Sequence, residues 1–250
     1  MLCSSPQRAA QNMAIDTALL DRARTEGMAV LRCYSWSRPA VSFGRNERTS
    51  PRFVPREIEE SGLDAVRRPT GGRALLHLSE VTYSVSMPID DSVSWRAVFD
   101  AVNRRLCAAI RSLGVDARVF PGNDRGSLRP GEALCFAAPS AGEIVVGDAK
   151  LVASAVWRER GGFLQQGSII TDGNQDLLRE LAGDGSSALA TVATLRESAR
   201  SFDEQSVVAA IREAFGQEAD VFDWSSDDAL QRDAASRVNH FEDPNWLWRH

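Results

Sequence analysis

Three strand-like runs follow one another between Glu143 and Ile170, and they constrain the fold more than any other stretch of the sequence. The segments "EIVV" and "AKLVASAVW" flank Gly147-Asp148, a dipeptide suited to a tight hairpin turn, and "GGFLQQGSII" follows as a further strand. Strands joined this closely must pair antiparallel, because a parallel pair needs a long crossover. Upstream, "VTYSVSM" alternates cleanly, with Val81, Tyr83, Val85 and Met87 on one side and Thr82, Ser84 and Ser86 on the other. On the strand after the Gly147 turn, Lys150, Val152, Ser154 and Val156 share one face.

Helical periodicity surrounds these strands. Asn12 to Glu26 reads as an amphipathic helix with Met13, Ala14, Leu20 and Ala23 apolar and Gly27 as its stop. Val98, Val102, Leu106, Ala109 and Leu113 recur at steps of three and four before Gly114, and Val208, Ile211 and Phe215 do so before Gly216. All three read as core-packing helices. Helices and antiparallel hairpins without repeated βαβ units predict an α+β fold of mixed, largely antiparallel sheets flanked by helices. Trp224, Trp246 and Trp248 are expected to pack the C-terminal end down.

Composition then removes function classes. A net charge of −5 argues against a general nucleic-acid binder, though not against a local basic cleft. No apolar run approaches the ~20 residues of a membrane span. The opening "MLCSSPQRAAQNMAID" lacks the pattern of a secretory signal, so a cytoplasmic location is expected. Cys3, Cys33, Cys107 and Cys135 include no C-x-x-C pair, and His77, His240 and His250 are too few for a histidine-rich metal site. No metal is expected.

Three features carry candidate chemistry. In "RRPTGGRALLH", Thr70, Gly71 and Gly72 form a turn whose backbone N–H groups could approach an anion or a thioester oxygen. Arg67, Arg68 and Arg73 add charge suited to phosphate or an acidic partner, unless the motif is a hairpin turn with a solvated arginine face. Cys135, between a polar Gly/Pro loop (Gly122 to Glu132) and a Pro-containing bend, is either a nucleophile or a packed thiol. Cys33 and Cys107 read as core thiols. Lys150 is the single lysine beside twenty-eight arginines, either a compositional accident or an ammonium that steadies an oxyanion where a guanidinium would not fit. His77 reads as a structural hydrogen-bonder rather than a general base, and no serine sits in a G-x-S-x-G elbow.

Taken in order, these pieces resemble the biotin/lipoate protein ligase superfamily. "QNMAIDTAL" looks like its opening helix, "PAVSFGRNE" like its first hairpin with Gly44, and "RRPTGGRALLHLSEVTYSV" like its acyl-pocket signature. "APSAGEIVVGDAKLVASAVWRERGGFLQQGSII" looks like the lysine-bearing hairpin and the strand after it. The similarity runs from about Asn12 to Thr171, with an echo in "NHFEDPNWLW". It implies one catalytic domain over 1–250, with a core of about 12–218 and a C-terminal helical segment at 219–250. "CFAAPS" ahead of Lys150 is similar to the cysteine-dependent octanoyltransferases and lipoyl amidotransferases.

The resemblance implies that Cys135 takes an octanoyl (or lipoyl) group from acyl carrier protein and passes it to a lysine of a lipoyl domain. The acceptor would be glycine cleavage H protein or a dehydrogenase E2. Lys150 would hold the acyl carbonyl, and Arg68, Thr70, Gly71, Gly72, Arg73, His77, Ser154 and Gly167 would shape the acyl site. No cofactor, nucleic acid or membrane is implied, and the oligomeric state is not legible. The family's Gly-Ser-Ala-Gln reads Ala153-Ser154-Ala155-Val156 here, and its Gln-His-Gly reads Gln165-Gln166-Gly167. An ATP-dependent lipoate ligase and a non-catalytic relative that binds an acyl group or a lipoyl domain are the competing readings.

Overall fold

The computed structural model describes residues 1–90, 92–122, 139–183, 192–216 and 222–249, without the side chain of Cys3. Cys135, His250 and all but the first residue of the Gly122–Glu132 loop lie outside the described residues. Strand β1 (Leu2–Cys3) precedes helix α1 (Ala9–Glu26), β2 (Val30–Tyr34) and β3 (Ala40–Phe43). Then come α2 (Pro55–Glu60), β4 (Asp64–Arg67), β5 (Leu75–His77) and the long β6 (Ser79–Pro88). Helix α3 (Trp95–Ser112) leads to β7 (Ala117–Val119), β8 (Ile144–Val146), β9 (Ala149–Glu159) and β10 (Gly162–Asp172). The rest is α4 (Asp176–Leu181), α5 (Leu195–Ser198), α6 (Glu204–Phe215), β11 (Phe222–Asp223), α7 (Asp228–Glu242) and α8 (Pro244–Leu247).

Among the described residues the strands form two sheets. The large one runs β11-β1-β2-β6-β10-β9-β8-β7, parallel at the β11-β1-β2 edge and antiparallel from there on. The small one is β4-β3-β5, with β4 parallel and β5 antiparallel to β3. This is the mixed, largely antiparallel α+β arrangement expected from the hairpins. Gly147 turns β8 into β9 at φ +56°, and Arg160 (φ 28°) and Gly161 (φ 85°) turn β9 into β10. Positive φ at both central residues lets that second turn follow the twist of its strands.

Helix ends follow the glycine signals. Gly27 caps α1 in the left-handed region at φ 72°, returning its N–H to Ala23 O. Helix α1 nonetheless begins at Ala9, ahead of the expected Asn12. In α6 the buried positions are Val207, Ala210 and Ile211, so Val208 and Phe215 pack at the rim rather than at the centre. Helices α3 and α6 cover one face of the large sheet, closing a core around Val81, Tyr83, Val152 and Ile169. Helix α1 covers the other face and is itself covered by α7.

The second face of β6 is buried and polar. Thr82, Ser84 and Ser86 are at most 3% exposed, under α1. Helix α1 answers with Asn12 and Asp16, both fully buried. Asp16 Oδ1 accepts from Arg32 Nη1 (2.7 Å) and Ser84 Oγ (2.8 Å), while its Oδ2 accepts from Tyr34 OH (3.0 Å) and Gln166 Nε2 (2.7 Å). Arg32 also donates to Asn12 Oδ1 at 2.6 Å. A buried ion pair is costly to break one-sidedly, because the remaining charge keeps its desolvation penalty. Asp16→Asn should therefore lower unfolding stability by roughly 3–5 kcal/mol. Urea unfolding measures this, and an unchanged midpoint would contradict it.

Candidate functional site

The Thr70-Gly71-Gly72 turn joins β4 to β5 and is held from three sides. Gly72 sits at φ +89°, and a Cβ built on the facing Gly44 would lie 1.9 Å from Gly72 O, so the two backbones touch. Arg68 donates to Gly71 O (2.8 Å), Arg73 O (2.8 Å) and both oxygens of Ser42 (2.9 Å each). The Gly71 N–H donates to Val156 O at 3.3 Å, tying the turn to β9.

Two sequence expectations change here. Arg67 and Arg68 are turned into the protein rather than out to solvent. They are 0% and 6% exposed; Arg67 donates to backbone carbonyls, and Arg68 to backbone carbonyls and the Ser42 hydroxyl. The Gly71 amide is likewise committed within the protein rather than presented to an anion. Arg73 is half-buried at the end of the turn.

Between this turn, α1 and the β9-β10 pair lies a narrow slot of about 30 Å³, walled by Met13, Leu75, Ala153, Ala155, Gln166 and Gly167. Arg68, His77 and Ser154 also border it. Thr70 reaches it through Gln166, whose Oε1 accepts from Thr70 Oγ1 at 2.7 Å. His77 is 4% exposed, stacks on Trp36 (4.0 Å between ring centroids), and places Nε2 2.7 Å from Ser42 Oγ and Nδ1 2.6 Å from Glu80 Oε1. Both ring nitrogens are engaged, as expected of a structural hydrogen-bonder. Burial opposes the charge on Glu80. The nearby His77 and hydrogen bonds from His77, Ser168 and Thr82 nevertheless hold its carboxyl below the usual range.

Lys150 lies apart from the residues that line the slot. It is 2% exposed, and its Nζ sits 2.7 Å from Glu143 Oε2. Glu143 also accepts from Ser140 N at 2.6 Å. Reading the sequence did not pair these two, although Glu143 precedes the strand opposite Lys150 and Val145 sits directly across from the lysine. A lone carboxylate across a hairpin from a lone lysine was the available signal. Ser154 turns its hydroxyl toward Tyr83 OH (2.7 Å) and Asn103, and Gln165 Nε2 donates to Tyr83 OH (2.9 Å) and Asn103 Oδ1 (2.9 Å). Gly167 makes room for this cluster, since a Cβ there would lie 2.4 Å from the Tyr83 ring. Cys135 has no described position. Among the described residues, no group of three or more His, Cys, Asp or Glu could hold a metal, and no helix is long and apolar enough to cross a membrane.

Two outcomes follow from this packing. Gly44→Ala should destabilise the protein by roughly 3 kcal/mol, the upper end for overpacking, because the obstructing atom is a backbone oxygen. Wild-type stability in denaturant would contradict it. Tyr34 and Tyr83 are the only tyrosines, and burial raises the pKa of both. An unfolded chain ionises near 10 and the folded one does not, so stability should fall as pH climbs past about 10. Tyrosinate absorbance at 295 nm should appear only with unfolding; smooth titration near pH 10 in a folded protein would refute this.

Comparison with known proteins agrees with this architecture. The family model described as the lipoyl protein ligase A/B catalytic domain matches residues 8–216. The octanoyltransferase LipM of Kyrpidia tusciae is 41% identical over 175 residues, 66% of this chain and 62% of that protein. That of Carboxydothermus hydrogenoformans is 36% identical over 173 residues, 68% of this chain and 63% of that protein. The chain thus matches less than two thirds of the length of these curated relatives. A lipoate-protein ligase A bound with ATP superposes with a TM-score of 0.80 at 19% identity, covering 99% of this chain and 97% of that one. A bi-partite lipoate protein ligase from Thermoplasma acidophilum gives 0.76 at 20% identity, covering 99% and 95%. These structural likenesses speak to fold alone. The glycine-paired turn, the lysine-bearing hairpin and the extent of the family match lead to one conclusion: the chain belongs to the lipoyl protein ligase A/B catalytic-domain family.

Proposed function

We propose that this chain is an octanoyltransferase of protein lipoylation, acting in the cytoplasm as one catalytic domain over 1–250. The observation that carries the reading is its 36–41% identity to proteins named octanoyltransferase LipM. The order of Cys135 before Lys150 supports it. In this reading the Cys135 thiolate attacks the thioester of octanoyl-acyl carrier protein, the C–S bond to the carrier breaks, the carrier departs as its thiolate, and an S-octanoyl enzyme remains. The neutral amine of a lipoyl-domain lysine, on glycine cleavage H protein or a dehydrogenase E2, then attacks that thioester. An amide forms and the Cys135 thiol is released.

Lys150 would stabilise the oxyanion of both steps. Its ammonium has three donors, so contact with Glu143 is compatible with contact to an acyl oxygen. Glu143 would fix where that ammonium points. The slot beside the Thr70-Gly71-Gly72 turn is the natural place for the acyl tail, with Arg68, Arg73, His77, Ser154 and Gly167 shaping it. Its 30 Å³ is about the share of one water, so an eight-carbon chain enters only if a wall moves. Met13, unbranched and adaptable, is the wall best suited to move. Ala153 and Gln166, where the sequence departs from the family pattern, both line the slot and set its width.

Incubation with octanoyl-acyl carrier protein should add one octanoyl mass, removable by hydroxylamine and absent in Cys135→Ser. No adduct on the parent protein would overturn the reading. ATP-dependent modification surviving Cys135→Ala would replace it with a ligase, and stable partner binding without turnover with a non-catalytic relative. Lys150→Arg keeps the charge opposite Glu143 but changes its shape, and should slow transfer ~100-fold, the scale of a lost oxyanion donor.

A further inference from the structure

A second cavity, of about 570 Å³, lies between the loop after β3 and the C-terminal residues, lined by Arg45, Arg48, Glu47, Asn245, Trp248 and Arg249. Three arginines therefore line one space. None of the three forms an ion pair or donates a side-chain hydrogen bond among the described residues. Two are held by aromatic rings instead. Arg45 Cζ lies 3.7 Å from the centre of the Trp157 ring and 5.4 Å from that of Trp246, and Arg249 Cζ lies 4.8 Å from Trp246. A guanidinium stacked on indole keeps its in-plane N–H fork available to a ligand.

The carboxylates around this cavity have partners of their own. Glu47 accepts from Gly44 N (3.1 Å), Asp243 from Asn245 N (2.8 Å), and Glu159 from Trp157 Nε1 (3.3 Å). Burial lowers the pKa of Arg45; the charge of Glu159 opposes this, and Arg249, the weaker of the two charges, adds to it. His240, whose ring lies 4.5 Å from Trp246, is lowered chiefly by burial; Asp243 opposes this, and Arg45 and Arg249 each add to it. In a chain of net charge −5, a cluster of guanidinium groups without an ion pair among the described residues is a local arrangement, not a general basic surface.

The walls are fixed. Arg67 donates to Gly44 O and Glu47 O on one side and to Trp246 O and Leu247 O on the other. Thr49 N and Oγ1 both donate to Arg249 O, at 3.2 and 2.9 Å. Preorganised forks of this kind suit a multiply charged oxyanion, and a phosphate monoester carries nearly two negative charges at neutral pH. The cavity exceeds what a bare phosphate needs and falls within the size of small-ligand pockets.

We propose that Arg45, Arg48 and Arg249 form a binding site for a phosphate ester, with room for part of the organic group it is attached to. Two sources share that chemistry: a nucleotide, and a phosphorylated pantetheine. The site does not depend on the acyl-transfer reading.

The test is calorimetric titration of the full chain with inorganic phosphate, AMP, 4′-phosphopantetheine and unphosphorylated pantetheine. Saturable binding of at least one phosphate-bearing probe, with none for pantetheine, is expected. Arg45→Gln and Arg249→Gln should each weaken it tenfold or more. Tighter binding of AMP or of 4′-phosphopantetheine identifies the source. Arg249 is exposed, so Arg249→Gln keeps the test valid even if Arg45→Gln disturbs folding, which thermal melting reports. Absence of saturable binding by every phosphate-bearing probe, or binding that Arg249→Gln leaves unchanged, overturns the proposal.

Discussion

A fully buried guanidinium held by carbonyls, not by a carboxylate, ties this structure together. Arg67 donates to Gly44 O (2.6 Å), Glu47 O (2.7 Å), Trp246 O (2.9 Å) and Leu247 O (2.9 Å). Burial lowers its pKa to about 10, which still leaves it charged at neutral pH. Carbonyls at a helix end lack intrahelical partners, and α8 hands two of them to this one side chain. Trp246 Nε1 donates back to Arg67 O at 3.0 Å. Gly44, fixed by that contact, supports Gly72 from below, and Arg68 gathers the turn carbonyls from the side. The glycine turn beside the slot and the arginine-lined cavity thus rest on the same residue.

Strand β9 organises chemistry on its two faces. Ala153 and Ala155 wall the slot, while Val152 and the Ser154 hydroxyl meet the core under α3. Lys150, nearer the strand's start, is held by a partner from the preceding strand region. The large sheet is asymmetric in the same sense. Its α3 face is mainly apolar, and its α1 face buries a charge network centred on Asp16. Gln166 joins the two systems by bonding both Asp16 and Thr70.

Much of this was legible because it depends on local rules. Gly27 and Gly147 punctuate the chain where their sequence neighbours require, and Cys33 and Cys107 are buried thiols. The C-terminal tryptophans pack down, Trp246 at 9% exposure and Trp248 against Phe43. What stayed hidden depends on partners far away in sequence or on backbone atoms. The Thr82, Ser84 and Ser86 face reads the same whether it meets water or Asp16. Adjacent arginines read as surface charge because the carbonyls that bury them leave no mark in a sequence. Glu143 was visible but unassigned, since its meaning depends on the register of one hairpin. Cys135 stands on the sequence alone.

The stitch made by Arg67 also orders events in time. It joins residues 179 and 180 positions apart, and Thr49 reaches Arg249 across 200. A chain emerging from the ribosome presents the whole glycine turn early, when the carbonyls that will bury Arg67 have not yet been synthesised. Until residues 246–249 arrive, that guanidinium must remain hydrated and the Gly44 loop unclamped. Closure of so long a loop is slow relative to local contacts, so the turn takes its final shape after translation has passed it by. The N-terminal half of the slot is in this sense completed by residues 246–249.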